Sequence, residues 1–295
     1  MKQNDSINKT SLGLAVIVIP IYKEKLGAFE VISLNQCIKK LSQHPICFIC
    51  ADDFNFENYK MIMRSSTYQI ERFRNHYFGS IQGYNRLMVS KDFYERFLHY
   101  RFMLIYQLDA FVFRDELEYW CMKDYDYIGA PWFEGDVFGD ENSKMLDFGG
   151  NGGFSSRKIS SHREVLLKFL KHKTIRMKSA RDIWGRYVTN SLLYKLSRTP
   201  KMILNYYSEK NTLRYCYENG ILNEDVFFVQ YIANIYHDRF VVPTSDTAVG
   251  FSFEIHPRKL YEINKQQLPF GCHSWQRYDF DFWRSHIEAE GHSLP

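Results

Sequence analysis

No stretch of this 295-residue chain approaches the roughly 20 consecutive apolar residues that a membrane-crossing helix needs. The best candidate, residues 12–21, is too short, follows a polar start and meets Pro20. It also lacks a neighbouring positive region and a small-residue cleavage site, so it is not expected to be a secretory leader. There is little excess of either charge: 38 Lys and Arg against 34 Asp and Glu leave a net charge of +4. That is too small a surplus for a nucleic-acid binder, although it would not repel an anionic substrate or a membrane surface. The six cysteines are scattered, and only Cys47 and Cys50 form a C-x-x-C, with no second pair at zinc spacing. Buried thiols are expected there, and a reducing, cytoplasmic location follows as the default. There is no internal repeat and no low-complexity segment.

Aromatic residues are abundant, at 17% with 21 Tyr and 24 Phe. Rings suit stacking on sugars or bases as well as plain packing, so the excess mildly favours a ligand-binding protein. The length allows a sizeable core, in one large α/β domain or two small ones. Residues 102–113 organise the rest: an apolar, β-branched and aromatic run with a single carboxylate, Asp109, following a predicted central strand at 102–106. An ionised Asp in such a run is costly to bury unless a metal, a cation or several N–H donors meet it. In open α/β sheets ligands gather at the carboxyl ends of strands, so Asp109 is a candidate site residue. The competing reading is an ordinary strand-end cap.

From the start, residues 1–12 are polar and expected to be flexible, residues 14–20 predict a fully buried strand, residues 28–41 a helix and residues 46–51 a second buried strand. That order predicts a right-handed βαβ crossover. A third short strand is expected at 73–78, a loop at 79–83, a helix at 84–100, a short helix at 117–122 and a strand at 125–128. Residues 133–147 have the acidic, glycine-containing composition of a surface loop, ending in four glycines within five positions, Gly149, Gly150, Gly152 and Gly153. Those glycines allow positive φ and close backbone approach to a ligand. Helices are expected at 160–171 and 180–196, with a basic stretch at 171–178 between them. Adjacent acids Glu224 and Asp225 open an apolar helix, which alone could be a dipole complement. A strand pattern at 247–253, a turn carrying His273 and an aromatic tail that docks on the body complete the chain.

Five stretches carry a resemblance: YQLD at 106–109, DYIGAPW at 126–132, GNGGFS at 150–155, NEDVFF at 223–228 and FGCH at 270–273. Together, in this order, they resemble the GT-A class of nucleotide-sugar glycosyltransferases, and within it a GT-A-like family long labelled only a domain of unknown function and found near polysaccharide genes. The likeness covers about residues 14–276. It implies an α/β, Rossmann-like fold with a mixed, mainly parallel sheet flanked by helices, in one domain over 13–276. A nucleotide-sugar half at 13–132 and an acceptor half at 133–276 are expected within it, followed by a C-terminal tail at 277–295.

The resemblance also implies roles. Asp109 matches one acid of a strand-end Asp-x-Asp motif that holds a divalent metal on the donor diphosphate, but Gln107 and Phe111 fill the places where a second acid could stand. A Mn²⁺ or Mg²⁺ cofactor is therefore expected on a thin shell, with His273 as the late metal- or phosphate-binding histidine and His256 a weaker candidate. Pro20, Tyr22 and Asp52, with Gln107 and Asp109, stand where the class binds the donor nucleotide. Gly150, Asn151, Gly152 and Gly153 match an acceptor-side loop. Glu224 and Asp225 match an acidic pair whose second member is the general base for an attacking hydroxyl. Transfer to a glycan or lipid-linked acceptor follows, by one in-line displacement with inversion, with peripheral attachment to the inner face of the membrane compatible with it. Two other readings stand beside it: a non-catalytic carbohydrate- or nucleotide-sugar-binding protein of the same fold, and a nucleotidyltransferase, although the latter normally has a glycine-rich loop after the first strand and residues 21–26 hold none.

Overall fold

The computed structural model describes residues 12–63, 66–135, 142–171, 175–177 and 207–295. The expected flexible start and the predicted helix at 180–196 lie almost wholly or wholly outside these residues, as does most of the basic stretch at 171–178.

β1 (Gly13–Pro20) is buried on both faces from Ala15 onward, because its continuous β-branched run has no polar side to turn to water. The helix Ala28–Leu41 follows, its first turn closed by the Glu30 carboxylate, which accepts the Gly27 N–H at 2.7 Å. β2 (Ile46–Ala51) then returns parallel to β1, giving the expected βαβ crossover. β3 (Tyr68–Phe73) extends the sheet beyond β2, and β4 (Tyr100–Tyr106) lies parallel on the other side of β1. β5 (Phe111–Val112) leaves the sheet just beyond Asp109. β6 (Tyr127–Ile128), β7 (Pro131–Phe133), β8 (Met145–Gly149) and β9 (Phe154–Lys158) follow in sequence.

The large sheet has the order β3-β2-β1-β4-β9-β6, with β9 antiparallel to both β4 and β6. It is the mixed, mainly parallel sheet flanked by helices that the sequence led us to expect. Alternate residues of its strands feed two separate apolar layers: Ile17, Phe48 and Leu104 on one face, Val18, Ile49 and Met103 on the other. A small second sheet joins β10 (Ser252–Phe253), β11 (Gly271–Cys272) and β5, while β7 and β8 pair as a ribbon. A third apolar cluster around Trp275 and Trp283 backs the second sheet, and the chain end folds into the helix Phe280–Ala289 that supplies Trp283.

The third strand runs over Tyr68–Phe73 rather than 73–78; it is an edge strand with mostly half-exposed side chains, which hides its pattern, and residues Asn75–Tyr77 form a 3₁₀ turn. The helix expected at 84–100 is two helices, Ile81–Met88 and Lys91–Arg96. Ser90 divides them: its hydroxyl caps the second by accepting the Phe93 N–H at 3.2 Å, as Ser80 caps the first through Gly83. Most of 247–253 lies in the helix Ser245–Phe251, and only its end is strand. The expected surface loop at 133–147 is entered by β7 and left by β8. All six cysteines are buried and none is in a disulfide, with Cys47 and Cys50 inside β2, where burial pushes the Cys47 thiol up to about 12.

Candidate active site

Two carboxylate clusters meet at the loop between β8 and β9. At the carboxyl end of β4, the Gln107 N–H donates to the Gly153 carbonyl at 2.9 Å, tying the strand end to the loop. The Asp109 Oδ1 lies 3.2 Å from His273 Nε2, and Asp109 Oδ2 accepts the Ser274 hydroxyl at 3.3 Å. Gln107 Oε1 is also 3.2 Å from His273 Nε2, while its amide nitrogen donates to the Tyr84 hydroxyl at 3.1 Å. On the other side of the imidazole, Glu254 Oε1 sits 2.8 Å from Nδ1. Burial opposes the imidazolium, but charge and hydrogen bonds from Asp109 and Glu254 outweigh it and push His273 up to about 10. Burial likewise opposes ionisation of Asp109, yet the facing His273 charge and its bond hold the carboxyl below the ordinary range.

On the far side of the loop the Gly152 N–H donates to Asp225 Oδ2 at 3.2 Å, and the Val226 N–H to Asp225 Oδ1 at 2.7 Å. Desolvation first, then the neighbouring Glu224 charge, pushes the Asp225 carboxyl up to about 8 despite those two donors. Glu224 has a different task. Its Oε1 accepts from Arg157 Nη2 at 2.6 Å, and both side chains are buried. Arg157 is further held by Ser155 Oγ at 3.1 Å and packs its guanidinium over the Tyr127 ring. The adjacent acids are thus one structural partner of a buried cation and one carboxyl left for the cleft.

None of the loop glycines has positive φ; among the described glycines that conformation falls at Gly135, Gly220 and Gly291. What the loop needs is absence of side chains. A Cβ on Gly152 would stand 2.1 Å from Glu224 Oε1, and one on Gly153 would stand 2.0 Å from His273 Nε2. The loop is therefore the floor on which both clusters rest, rather than a special turn.

Pro20, Tyr22, Gln107 and Asp109 line one cavity of about 320 Å³, with Lys23, Glu30 and Gln276. The Tyr22 ring stands edge-on to Tyr84 at 5.9 Å. Asp52 is not among the lining residues; it is exposed at the end of β2, and its backbone carbonyl accepts from Arg72 at 2.8 Å. Asn151 and Asp225 line a second cavity of about 280 Å³ with Asn223, Gln230, Glu254 and Trp132. Asn151 Oδ1 itself accepts the Gly153 N–H at 2.9 Å. Gly150 packs under Tyr127 and Val229. His256 lines neither of these cavities, and its ring is edge-on to Phe133 at 5.0 Å.

Sequence reasoning missed Arg157, Glu254 and Gln276. Glu254 sits alone in an apolar stretch after β10, as Asp109 does after β4, so the same desolvation argument applied to it. Arg157 carried a signal of the same kind, a charged residue two positions from Ser155 on one face of a strand that is otherwise buried. Gln276 had none. Its Nε2 is buried beside the cavity of Tyr22 and Asp109 with no hydrogen-bond partner, a cost of about 1–3 kcal/mol that a bound hydrogen-bond acceptor would relieve.

Asp109, His273 and the Gln107 amide oxygen converge on one point, and they would fit a divalent ion completed by diphosphate oxygens once His273 gives up the proton that Asp109 and Glu254 stabilise. Glu254 behind the imidazole is the outer carboxylate that commonly orients a metal-binding histidine. Among the described residues no group of three or more His, Cys, Asp and Glu side chains gathers as a metal site, so the protein shell would be partial.

The chain matches over residues 67–273 the family described as "Protein of unknown function (DUF5672)", and it belongs to that family. No curated protein matches it. Solved structures that it resembles include mouse xyloside xylosyltransferase 1 in its apo form, at 10% identity and TM-score 0.45, covering 88% of this chain and 97% of the other. A glycosyltransferase involved in glycosylation of the major capsid of PBCV-1 matches at 10% identity and TM-score 0.41, over 94% of this chain and 99% of its own. Core-mannan synthase A from Aspergillus fumigatus, in an Mn/GDP form, matches at 10% identity and TM-score 0.41, over 54% of this chain. The chain spans 63% of that synthase's length. Likenesses this distant carry no argument about activity. Among the described residues no helix is long and apolar enough to cross a membrane.

Proposed function

We propose that this protein is a glycosyltransferase that moves a sugar from a nucleotide-diphosphate donor to a hydroxyl of a glycan or lipid-linked acceptor, with inversion. The observation that carries the reading is the opposed placement of Asp109–His273 and Asp225 on adjacent glycines of one loop. Asp225 acts as the general base. Its carboxyl, pushed up to about 8, is basic enough to take a proton from a sugar hydroxyl as that oxygen attacks the anomeric carbon. Glu224, tied to Arg157, fixes the backbone that presents Asp225 and keeps a second negative charge beside it.

On the donor side, Tyr22 and Pro20 form the wall for the nucleotide, and Gln276 and Lys23 offer N–H donors to phosphate or sugar oxygens. Asp52 lies outside that wall, exposed after the end of β2. Asp109, Gln107 and His273, the last after losing its proton, would hold a Mn²⁺ or Mg²⁺ ion, which when bound supplies positive charge for the departing diphosphate. The base lies across the loop from these groups, which suits a single in-line displacement without a covalent sugar–enzyme intermediate.

The test is incubation of the purified chain with a panel of nucleotide sugars, with and without Mn²⁺, following release of free nucleotide. Slow hydrolysis of at least one donor, lost in Asp109→Ala, is the expected result. No turnover of any donor, together with no nucleotide affinity by calorimetry, would remove the reading.

A further inference from the structure

We propose that the cavity of about 860 Å³ beside the cleft binds the remote sugars of an extended, largely uncharged glycan acceptor, so that the acceptor is an oligosaccharide rather than a free monosaccharide. The inference rests on the reading of the Asp225 side as the acceptor side.

Continuity is the first argument. The pocket at Asp225 is small, about 280 Å³, which suits little more than one sugar ring, and Ile255 and Tyr278 line both it and the larger cavity. A glycan whose terminal ring reaches Asp225 therefore has a path past Tyr278. The second argument is the chemistry of the walls. Tyr261, Tyr278 and Phe282 bring aromatic rings to the lining, with Arg277 over one face of Tyr278 and Arg258 over one face of Phe282, and Arg277 and Glu262 add a donor and an acceptor, the combination of rings and polar groups that sugar C–H faces and hydroxyls use. Charge is the third. Arg258 is held by both oxygens of Asp279, at 2.6 and 3.1 Å, and Arg277 lies over the Tyr278 ring. With three cations set against two carboxylates in the lining, the cavity is nearly balanced, which suits a neutral glycan better than a polyanion.

The lining is also fixed in shape. His256 and Asp279 take left-handed backbone at φ 54° and 50°, costly for residues other than glycine, and each opens a helix whose side chains face the cavity. Asp279 caps its helix through the Phe282 N–H at 3.2 Å as well as holding Arg258.

The experiment applies the full chain to a panel of defined neutral glycans from one to six residues long and measures affinity without any nucleotide sugar. Affinity should rise by about tenfold or more between one and three residues for at least one glycan series, and Arg277→Ala and Glu262→Ala, both surface changes, should each lose most of that rise. Tyr278→Phe, which keeps the ring, should retain it. Equal affinity at every length, a silent panel, or a length dependence untouched by both alanine variants would overturn the proposal. Because no donor is present, the two readings fail separately. Length-dependent binding without turnover in the nucleotide-sugar panel removes only the transferase; turnover without length dependence removes only the extended groove.

Discussion

Asp109, through His273, and Asp225 are the same residue type set against adjacent glycines of one loop, and their surroundings tune them in opposite directions. Asp109 is 39% exposed at the side chain and faces His273, so its charge is kept. Asp225 is buried beside Glu224, whose charge is already committed to Arg157, so its proton is held up to about 8. The contrast teaches that environment, not residue type, divides the work: one acid suits binding a cation or a phosphate partner, the other suits taking a proton.

Breaking the base end should have the largest effect. Asp225→Asn keeps the size and one of the two acceptor oxygens but removes the proposed base, and should lower kcat of transfer by about 10²–10⁴-fold, measured by product formation under saturating donor. Next comes the support beneath it. Arg157→Met strips the cation from buried Glu224 and should cost about 3–5 kcal/mol of folding stability, read from urea unfolding. Intermediate in size is Gly153→Ala. Its added methyl meets His273, which Glu254 and Asp109 pin in place, so the imidazole must move. Donor affinity should fall by about tenfold or more while circular dichroism stays that of the wild type. The mildest probe is pH. Asp225 is neutral below its raised pKa and ionised above it, so kcat should climb with pH toward about 8 and then level off. That rise should be absent in whatever residual activity Asp225→Asn retains.

The first part of the large sheet was largely legible in the sequence because its central strands are buried on both faces. Runs such as residues 14–20 and 46–51 have no polar alternation to mislead, and the helix between them ends where its apolar spacing ends. Edge strand β3 was misplaced because half-exposed strands carry ordinary polar residues, and Ser90 split a helix that periodicity alone runs together. Among the candidate site residues, those on strand ends and the glycine loop could be named because a lone acid in an apolar run and clustered glycines are local signals. Their partners were not local. Arg157 on β9 meets Glu224 at a helix start across 67 positions, and Glu254 meets His273 across 19 beside the pairing of β10 with β11, and no short stretch announces either contact. The glycines themselves were read for backbone freedom, whereas they are needed for the room they leave to Glu224 and His273.

The most direct test compares the two acids in one assay. With a donor identified from the panel, steady-state kinetics of Asp109→Asn and Asp225→Asn should separate: the first raises KM for the donor and weakens nucleotide binding, while the second lowers kcat and leaves donor affinity near that of the wild type. If both variants move the same parameter by the same factor, or if Asp225→Asn transfers sugar as fast as the wild type, the division of labour across the glycine loop is wrong.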